Sequence, residues 1–290
     1  MRHALVFGAS GQIGYPLLGL LANDGWRVTA VSRSARSDEP GLQWLRGDLG
    51  HVDGLPVRVD AIFSCGPLDA FARWYGASSI EAARVIAFGS TSIEVKRGSA
   101  DAEERDVARR LREGEDCLFA RAGQRAAAAT VLRPTLVYGA GRDATLTRIA
   151  QLARRWGRFP LPRGANGLRQ PVHVDDLATA AYACHGAAAT HGVAYALPGG
   201  ETLGYREMVA RVLACLQPPP TLVEMPSPLF NLSLLAAQMT GRATGLGEAA
   251  VRRMRNDLVF DPAPAQRDFG YAPRMFRPRA DMFEPRDDDA

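Results

Sequence analysis

The sequence predicts an α/β fold, namely a doubly wound parallel sheet with a smaller, partly helical C-terminal lobe. Apolar strand-like runs alternate with helical patterns over about the first 200 residues, as in parallel sheets that helices cover on both faces. A turn with three glycines joins the first strand to the first helix. After about residue 140 the alternation thins and prolines and glycines become frequent, which indicates the loops of a second lobe.

The first unit consists of an apolar strand over Ala4–Phe7 and a helical pattern over Gly11–Asp24. Glycines let the backbone approach a phosphate closely, and a helix N-terminus offers free N–H groups and partial positive charge. The unit is therefore typical of the dinucleotide-binding turn of Rossmann folds. Its spacing, G-x-x-G-x-x-G, departs from G-x-G-x-x-G, and a tight turn without a ligand remains the alternative. The predicted cofactor-binding residues of the turn are Gly8, Ser10, Gly11, Gln12, Ile13 and Gly14.

The remaining elements follow in alternation along the chain. Further strands are predicted over Arg27–Val31, Leu42–Leu45, Ala61–Cys65, Val85–Phe88, Thr130–Leu132 and Val193–Leu197. Further helices are predicted over Ala102–Ala122 and Thr145–Arg155. Ligands of such sheets bind beyond the carboxyl ends of the strands. One crevice should therefore collect the segments Gly8–Gly14, Ser32–Arg36, Asp48–Leu49, Ser64–Pro67, Gly89–Lys96 and Pro134–Gly141.

Domain ranges follow from this pattern. We expect a Rossmann domain over residues 1–200, a small substrate lobe over 201–280 and a disordered tail over 281–290. Segments after residue 139 are expected to contribute to the substrate lobe as well. An apolar helix is predicted over Pro228–Gly241, as part of the lobe core or of a homodimer surface rather than a membrane anchor.

Composition excludes several classes of protein. The 290 residues have a net charge of +4, 47% hydrophobic and 23% charged residues, and no apolar run long enough for a membrane span. The strand at the N-terminus leaves no room for a signal peptide, so we expect a cytoplasmic protein. Four scattered cysteines predict neither a disulfide framework nor a metal site. The arginine clusters at 109–112 and 252–255 are interpreted as solvated helix faces, not as a nucleic-acid site.

The residues after the second strand indicate whether the cofactor is NAD or NADP. A cofactor without a 2′-phosphate favours an acidic residue here, whereas arginine suits a 2′-phosphate by its charge and forked donors. Arg33, Ser34 and Arg36 occupy this loop. The loop therefore predicts NADP rather than NAD, with NAD possible if the loop is merely a basic surface.

Five motifs occur in order along residues 1–200. They are Gly8-x-x-Gly11-x-x-Gly14, Gly47-Asp48-Leu49, Gly89-Ser90-Thr91-Ser92, Leu132-Arg133-Pro134-Thr135-Leu136-Val137-Tyr138-Gly139 and Pro171-Val172-His173-Val174-Asp175-Asp176-Leu177-Ala178. In this order they resemble the extended or atypical short-chain dehydrogenase/reductase superfamily, in its NAD-dependent epimerase/dehydratase branch. The resemblance implies that Asp48 and Leu49 hold the adenine, that Cys65 and Gly66 line the cofactor ribose, and that Pro134 flanks the nicotinamide.

The helix after the fifth strand departs from this superfamily. Its hydride-transferring members carry Tyr-x-x-x-Lys there, where the tyrosine is the general acid/base and the lysine lowers its pKa and holds the nicotinamide ribose. Counting back from the matching Glu115-Asp-Cys-Leu118 places Val107 and Leu111 at these two positions. Neither side chain can transfer a proton.

Other residues near the fifth strand are candidates for the missing chemistry. Ser90 matches the superfamily's serine, and Lys96, the single lysine among 35 basic residues, follows it, so we predict these two as catalytic residues. A turn-forming hydroxyl and an exposed loop lysine are the alternatives. The predicted substrate-binding residues are Thr91, Ser92, Tyr138 and His173.

The sequence is compatible with two functions. The first is an NAD(P)-dependent epimerase/dehydratase or reductase that acts on a small carbonyl or sugar-like compound with a nonstandard catalytic group. The second is a catalytically inactive NADP(H)-binding protein, either a redox sensor or a structural subunit of a larger assembly. The departure at Val107 and Leu111 favours the second, and the motif around His173–Asp176 favours the first.

Overall fold

The central element of the protein is a seven-stranded sheet, seen in a computed structural model that describes residues 1–230 and 252–284. Its strands are β1 (His3–Phe7), β2 (Arg27–Ser32), β3 (Leu42–Arg46), β4 (Arg58–Ser64), β5 (Glu81–Phe88), β6 (Ala128–Pro134) and β11 (Val193–Leu197). All neighbours pair in parallel, in the order β11-β6-β5-β4-β1-β2-β3. The predicted doubly wound parallel sheet is confirmed.

Helices cover both faces of this sheet. They are α1 (Gly14–Asn23), α2 (Leu68–Ala77), the short α3 (Ser92–Val95), α4 (Ala102–Gln124) and α6 (Val174–His185). On one face α1 packs beside α6, and on the other α2 packs beside α4. The α4 helix starts where the Asp101 carboxylate accepts a hydrogen bond from the Glu103 backbone N–H, at 2.8 Å.

Alternating side chains of the strands supply two separate cores. In β1, Ala4 and Val6 pack against the α1/α6 face, whereas Leu5 and Phe7 pack against the α2/α4 face. Every residue of β1 is buried, because a strand between two helix layers has no solvated side. This burial explains why the strand is a continuous apolar run in the sequence.

A third core belongs to the C-terminal lobe. Its elements are β7 (Val137–Tyr138), α5 (Leu146–Trp156), β8 (Arg158–Pro162), β9 (Leu168–Arg169), β10 (Val172–His173), β12 (Leu203–Gly204), α7 (Tyr205–Ala214) and β13 (Thr221–Met225). The last described helix of more than one turn, α8 (Ala263–Phe269), packs instead against β11 and α6 of the central sheet. The short strands pair as β7 with β10, β8 with β13 and β9 with β12. The chain enters the lobe after β6, returns to the central sheet as β11 and leaves it again, so neither body is one continuous segment.

The C-terminal region differs in part from expectation. A short 3-10 helix spans Ala280–Phe283, and Met282 and Phe283 are buried in the lobe core, so the first residues of the tail predicted over 281–290 are packed. Residues 285–290 lie outside the described residues. The predicted apolar helix Pro228–Gly241 falls mostly on residues 231–251, which are also outside them. Among the described helices, none has both the length and the apolar character to cross a membrane.

Candidate functional site

The glycine turn between β1 and α1 is held by close backbone contacts. Gly8 has a φ of +67°, the left-handed conformation that glycine adopts without strain. The Gly11 N–H donates to the Gly8 carbonyl at 2.9 Å, and a Cβ on Gly14 would lie 2.2 Å from that same oxygen. Helix α1 then begins with no side-chain cap and no acidic residue in its first turn. Its first N–H groups therefore suit an anion.

Replacing Gly14 with alanine is expected to destabilise the protein by about 1–3 kcal/mol, because the new methyl group overlaps the Gly8 carbonyl and the turn must shift. Gly19 is the matched control in the same helix, since a Cβ there meets no heavy atom within 4 Å. Gly19→Ala should stabilise the helix by up to about 1 kcal/mol. Urea denaturation measures both values. Equal effects of the two substitutions would contradict this account of the turn.

A cavity of about 360 Å³ opens beyond the carboxyl ends of β4, β5 and β6. Its walls come from the glycine turn, from the segments after these three strands, and from one side of α4. The lining residues are Gln12, Ile13, Cys65, Gly66, Pro67, Leu68, Asp69, Phe88, Gly89, Ser90, Val107, Arg110, Leu111, Pro134, Thr135 and Val137. Six predicted site residues thus share one cavity, namely Gln12, Ile13, Cys65, Gly66, Ser90 and Pro134. Burial raises the pKa of the Cys65 thiol to about 12, so this cysteine stays protonated.

The predicted adenine-binding residues lie around the ends of β2 and β3. The Ser10 hydroxyl of the glycine turn is 3.1 Å from the Ser32 hydroxyl at the end of β2. The Asp48 carboxylate accepts hydrogen bonds from the Gly50 and His51 backbone N–H groups, at 2.7 and 3.2 Å, which lower the pKa of Asp48. The nearby Arg33 charge lowers this pKa further. Asp48 is therefore ionised and held in a loop beside Arg33.

Other residues of this region pack against the strands. The Arg36 guanidinium lies over the Trp44 ring, 5.3 Å from its centroid. A Cβ on Gly66 would lie 3.3 Å from Leu49 Cδ1, which puts the predicted adenine and ribose contacts next to each other. Arg33 and Ser34 are exposed. The structure thus gathers the predicted residues of the adenine end at one edge of the crevice.

Ser90 lies on the cavity wall, whereas Thr91 and Ser92 beside it make hydrogen bonds to the backbone or begin a helix. The Ser90 hydroxyl accepts a hydrogen bond from the Ser92 backbone N–H at 3.1 Å. Thr91 is buried, and its hydroxyl donates to the Pro134 carbonyl at 3.1 Å. Ser92 starts α3, and Lys96 follows the end of that helix without lining the cavity. Of the catalytic and substrate-binding residues predicted after β5, namely Ser90, Thr91, Ser92 and Lys96, only Ser90 is among the described residues that line the cavity.

Tyr138 is buried in the lobe core with His173 against its ring, and neither residue is on the cavity wall. The Tyr138 ring meets the rings of His173 and Phe276 edge-on, with centroid distances of 5.1 and 5.0 Å. Burial raises the pKa of Tyr138 to about 12. His173 Nδ1 accepts from the Asp175 backbone N–H at 3.2 Å and caps α6. Both residues are buried and neither lines this cavity, so the cavity gives their predicted substrate contacts no support.

The orientation of α4 is set by a buried ion pair. Glu115 on α4 is 4% exposed, and its Oε1 accepts from Arg133 Nε of β6 at 2.8 Å. This contact raises the pKa of Arg133. Val107 and Leu111 precede Glu115 by two and one helical turns and so share its side of the helix. Both line the cavity, and their side chains give the α4 side of its wall apolar surface.

Sequence reasoning missed Asp69 and Arg110 in the cavity wall. Arg110 was assigned with its neighbours to a solvated helix face, and it is indeed 47% exposed. Its Nη1 nevertheless reaches to 3.4 Å from Asp69 Oδ2 on α2. The signal in the sequence was only the position of Arg110 next to Leu111, and the contact depends on how α2 packs beside α4.

Comparison with known proteins gives one curated relative and many similar structures. No family model matches the sequence. The 2-alkyl-3-oxoalkanoate reductase of Stenotrophomonas maltophilia is 27% identical, with 93% of this chain and 94% of that protein covered. An epimerase from Methanothermobacter thermautotrophicus has a TM-score of 0.69 at 15% identity, covering 95% of this chain and 89% of its own.

Two further structures were solved with bound molecules. UDP-glucuronic acid 4-epimerase from Bacillus cereus, in complex with UDP-glucuronic acid and NAD, has a TM-score of 0.67 at 14% identity and covers 95% of both chains. The enzyme WbmF from Bordetella bronchiseptica, in complex with NAD+ and UDP, has a TM-score of 0.67 at 17% identity. It covers 97% of this chain and 90% of its own. At these identities the likeness shows a shared fold.

Proposed function

We infer that this chain, whose fold is that of the extended short-chain dehydrogenase/reductase enzymes, binds a nicotinamide dinucleotide along its crevice. The observation that carries the inference is the continuity between the glycine turn and the cavity. Gln12 and Ile13, at the N-terminus of α1, line the same cavity as Ser90 beyond β5. A ligand with its phosphates on the helix N-terminus thus reaches Ser90 without crossing another element.

Successive regions of the crevice suit the pyrophosphate, the adenine and the nicotinamide half of a dinucleotide. The uncapped N-terminus of α1 suits the pyrophosphate, because its N–H groups and dipole favour negative charge. Asp48 and Leu49 lie at the edge where the adenine would bind, and Gly66, which lines the cavity together with Cys65, is next to Leu49. The cavity then receives the nicotinamide half, beside Pro134.

We assign the chain to an epimerase/dehydratase- or reductase-type activity on a small carbonyl or sugar-like compound. The bound cofactor would supply or accept a hydride. Support comes from the reductase relative and from the epimerase with UDP-glucuronic acid and NAD. Because the Ser90 hydroxyl already accepts from the Ser92 N–H, its own hydrogen is left to donate to a substrate carbonyl oxygen. Lys96 remains a second proposed catalytic residue, although it does not line the cavity.

A second candidate function is nucleotide binding without hydride chemistry, as a redox sensor or as a subunit of an assembly. The observation that favours it is that Val107 and Leu111, both apolar, line the same cavity as Ser90. Such side chains can position a ring, but they cannot carry a proton.

One experiment separates the two candidates. Fluorescence titration with NADH and NADPH first measures binding, and absorbance of the reduced nicotinamide then reports turnover against a panel of carbonyl compounds and sugar nucleotides. Binding with turnover supports the enzyme. Binding without turnover across the panel supports the sensor or subunit, and absence of binding contradicts both.

We further propose that NADP(H) binds more tightly than NAD(H) through Arg33. Arg33→Ala should then weaken NADPH about ten- to a hundredfold, since a charge-assisted hydrogen bond to a phosphate is worth about 1.5–3 kcal/mol, and should leave NADH nearly unchanged. Arg58, exposed at the opposite end of the sheet where β4 begins, is the matched control. Equal affinities of the wild type for the two cofactors would rule out this assignment.

A further inference from the structure

The polar character of the cavity comes largely from one pair of charged side chains. Among the described residues that line it, Arg110 carries the one basic group and Asp69 the one acidic group. Arg110 Nη1 lies 3.4 Å from Asp69 Oδ2. The proposed function uses neither residue, and the Arg110 side chain, 47% exposed, is open to a polar ligand group in the cavity.

The pair is held from both sides. Arg110 Nε donates to Asp106 Oδ2 at 2.9 Å, one turn earlier on α4. Asp69 lies in the first turn of α2, where the helix dipole favours a carboxylate, and Arg73 Nη1 lies 3.6 Å from its Oδ2. These contacts engage Nε and Nη1 of Arg110. The described residues give its Nη2 no acceptor, so the outer side of the guanidinium can donate to a ligand.

The charges of the pair restrict what that ligand group can be. A phosphate or carboxylate beside Arg110 would also lie beside the Asp69 carboxylate, and the like charges would repel. A neutral vicinal diol has no such conflict. Its oxygens accept from the two hydrogens of Arg110 Nη2, while one of its hydroxyl hydrogens donates to the carboxylate. The chemistry of the pair therefore matches a sugar diol.

The position in the fold identifies which diol this is. The cavity lies beyond β4, β5 and β6, past the glycine turn as seen from the adenine edge. We propose that Arg110, oriented by Asp69, binds the 2′- and 3′-hydroxyls of the nicotinamide ribose. This rests on the proposed binding of a nicotinamide dinucleotide. Arg110 is then a cofactor-positioning residue, and Val107 and Leu111 beside it contact the nicotinamide ring.

Three ligands of increasing length test this assignment. ADP ends at the pyrophosphate, ADP-ribose adds the second ribose, and NADH adds the nicotinamide. Their dissociation constants are measured by calorimetry for the wild type, for Arg110→Gln and for Arg112→Gln. Arg112 is the matched control because it is exposed on the same helix and does not line the cavity.

Arg110→Gln is expected to weaken ADP-ribose and NADH about tenfold or more, and to leave ADP unchanged. Arg112→Gln should change none of the three. Arg110→Lys should recover only part of the loss, because an ammonium cannot present the planar fork. Thermal unfolding of each variant checks that the fold is intact.

Two results overturn the inference alone. One is equal binding of ADP-ribose by wild type and Arg110→Gln, and the other is an equal loss of ADP and ADP-ribose, which would place the effect at the pyrophosphate. Failure of the wild type to bind either ADP-ribose or NADH overturns the proposed function and the inference that rests on it.

Discussion

Val107→Tyr combined with Leu111→Lys is expected to raise carbonyl turnover by a factor of about 10²–10⁴, the usual contribution of a positioned general acid/base. Both positions line the cavity that contains Ser90. They lie on the side of α4 that Glu115 anchors to β6, so a phenol and an ammonium placed there would face the same ligand. The measurement is the rate of cofactor oxidation at saturating NADH or NADPH, with the panel of carbonyl compounds described above.

The control places the same two residue types elsewhere on the helix. Asp116→Tyr with Ala120→Lys has the same spacing on exposed positions of α4 that do not line the cavity, and it should leave turnover at the wild-type level. Cofactor affinity is measured separately for both double variants. An unchanged rate in the Val107/Leu111 variant with full cofactor binding would show that the cavity lacks a substrate position beside Ser90, and would favour the sensor or subunit function.

Removing the carboxylate of Glu115 is expected to cost about 3 kcal/mol of unfolding free energy. The side chain is buried, and Glu115→Ala leaves the Arg133 guanidinium, itself only 19% exposed, without its main partner. Breaking a buried ion pair from one side costs about 3–5 kcal/mol, and we take the lower end because Glu94 remains 3.1 Å from Arg133. Urea denaturation followed by circular dichroism gives the value.

Two further variants test the cause of this loss. Glu113→Ala, two residues earlier on an exposed position, removes a surface partner of Arg109 and should change stability little. Glu115→Leu with Arg133→Met replaces both charges by apolar groups and should recover most of the loss, because no charge is then left buried alone. A double variant as unstable as Glu115→Ala would show that packing, and not the unpaired cation, causes the effect.

The sequence was enough to predict the positions of some crevice residues but not of others. Gln12, Ile13, Cys65, Gly66, Ser90 and Pro134 line one cavity because each lies at the carboxyl end of a strand of the parallel sheet or in the segment that follows it. The carboxyl ends of such strands meet at one edge, so strand order in the sequence is enough to place these residues together. Tyr138 and His173 end the short strands β7 and β10, outside the central sheet, and their side chains are buried against each other instead of lining the cavity.

The sequence by itself determined the doubly wound sheet, the glycine turn and the apolar character of α4 at Val107 and Leu111. These features follow from local periodicity and residue type, which act over a few residues. Only the tertiary structure decided that Arg110 reaches Asp69 across two helices, and that Lys96 lies away from the cavity wall. Such contacts depend on the packing of elements that are distant in the chain, because a side chain's neighbours across a helix pair are set by interhelical geometry and not by its own position in the sequence.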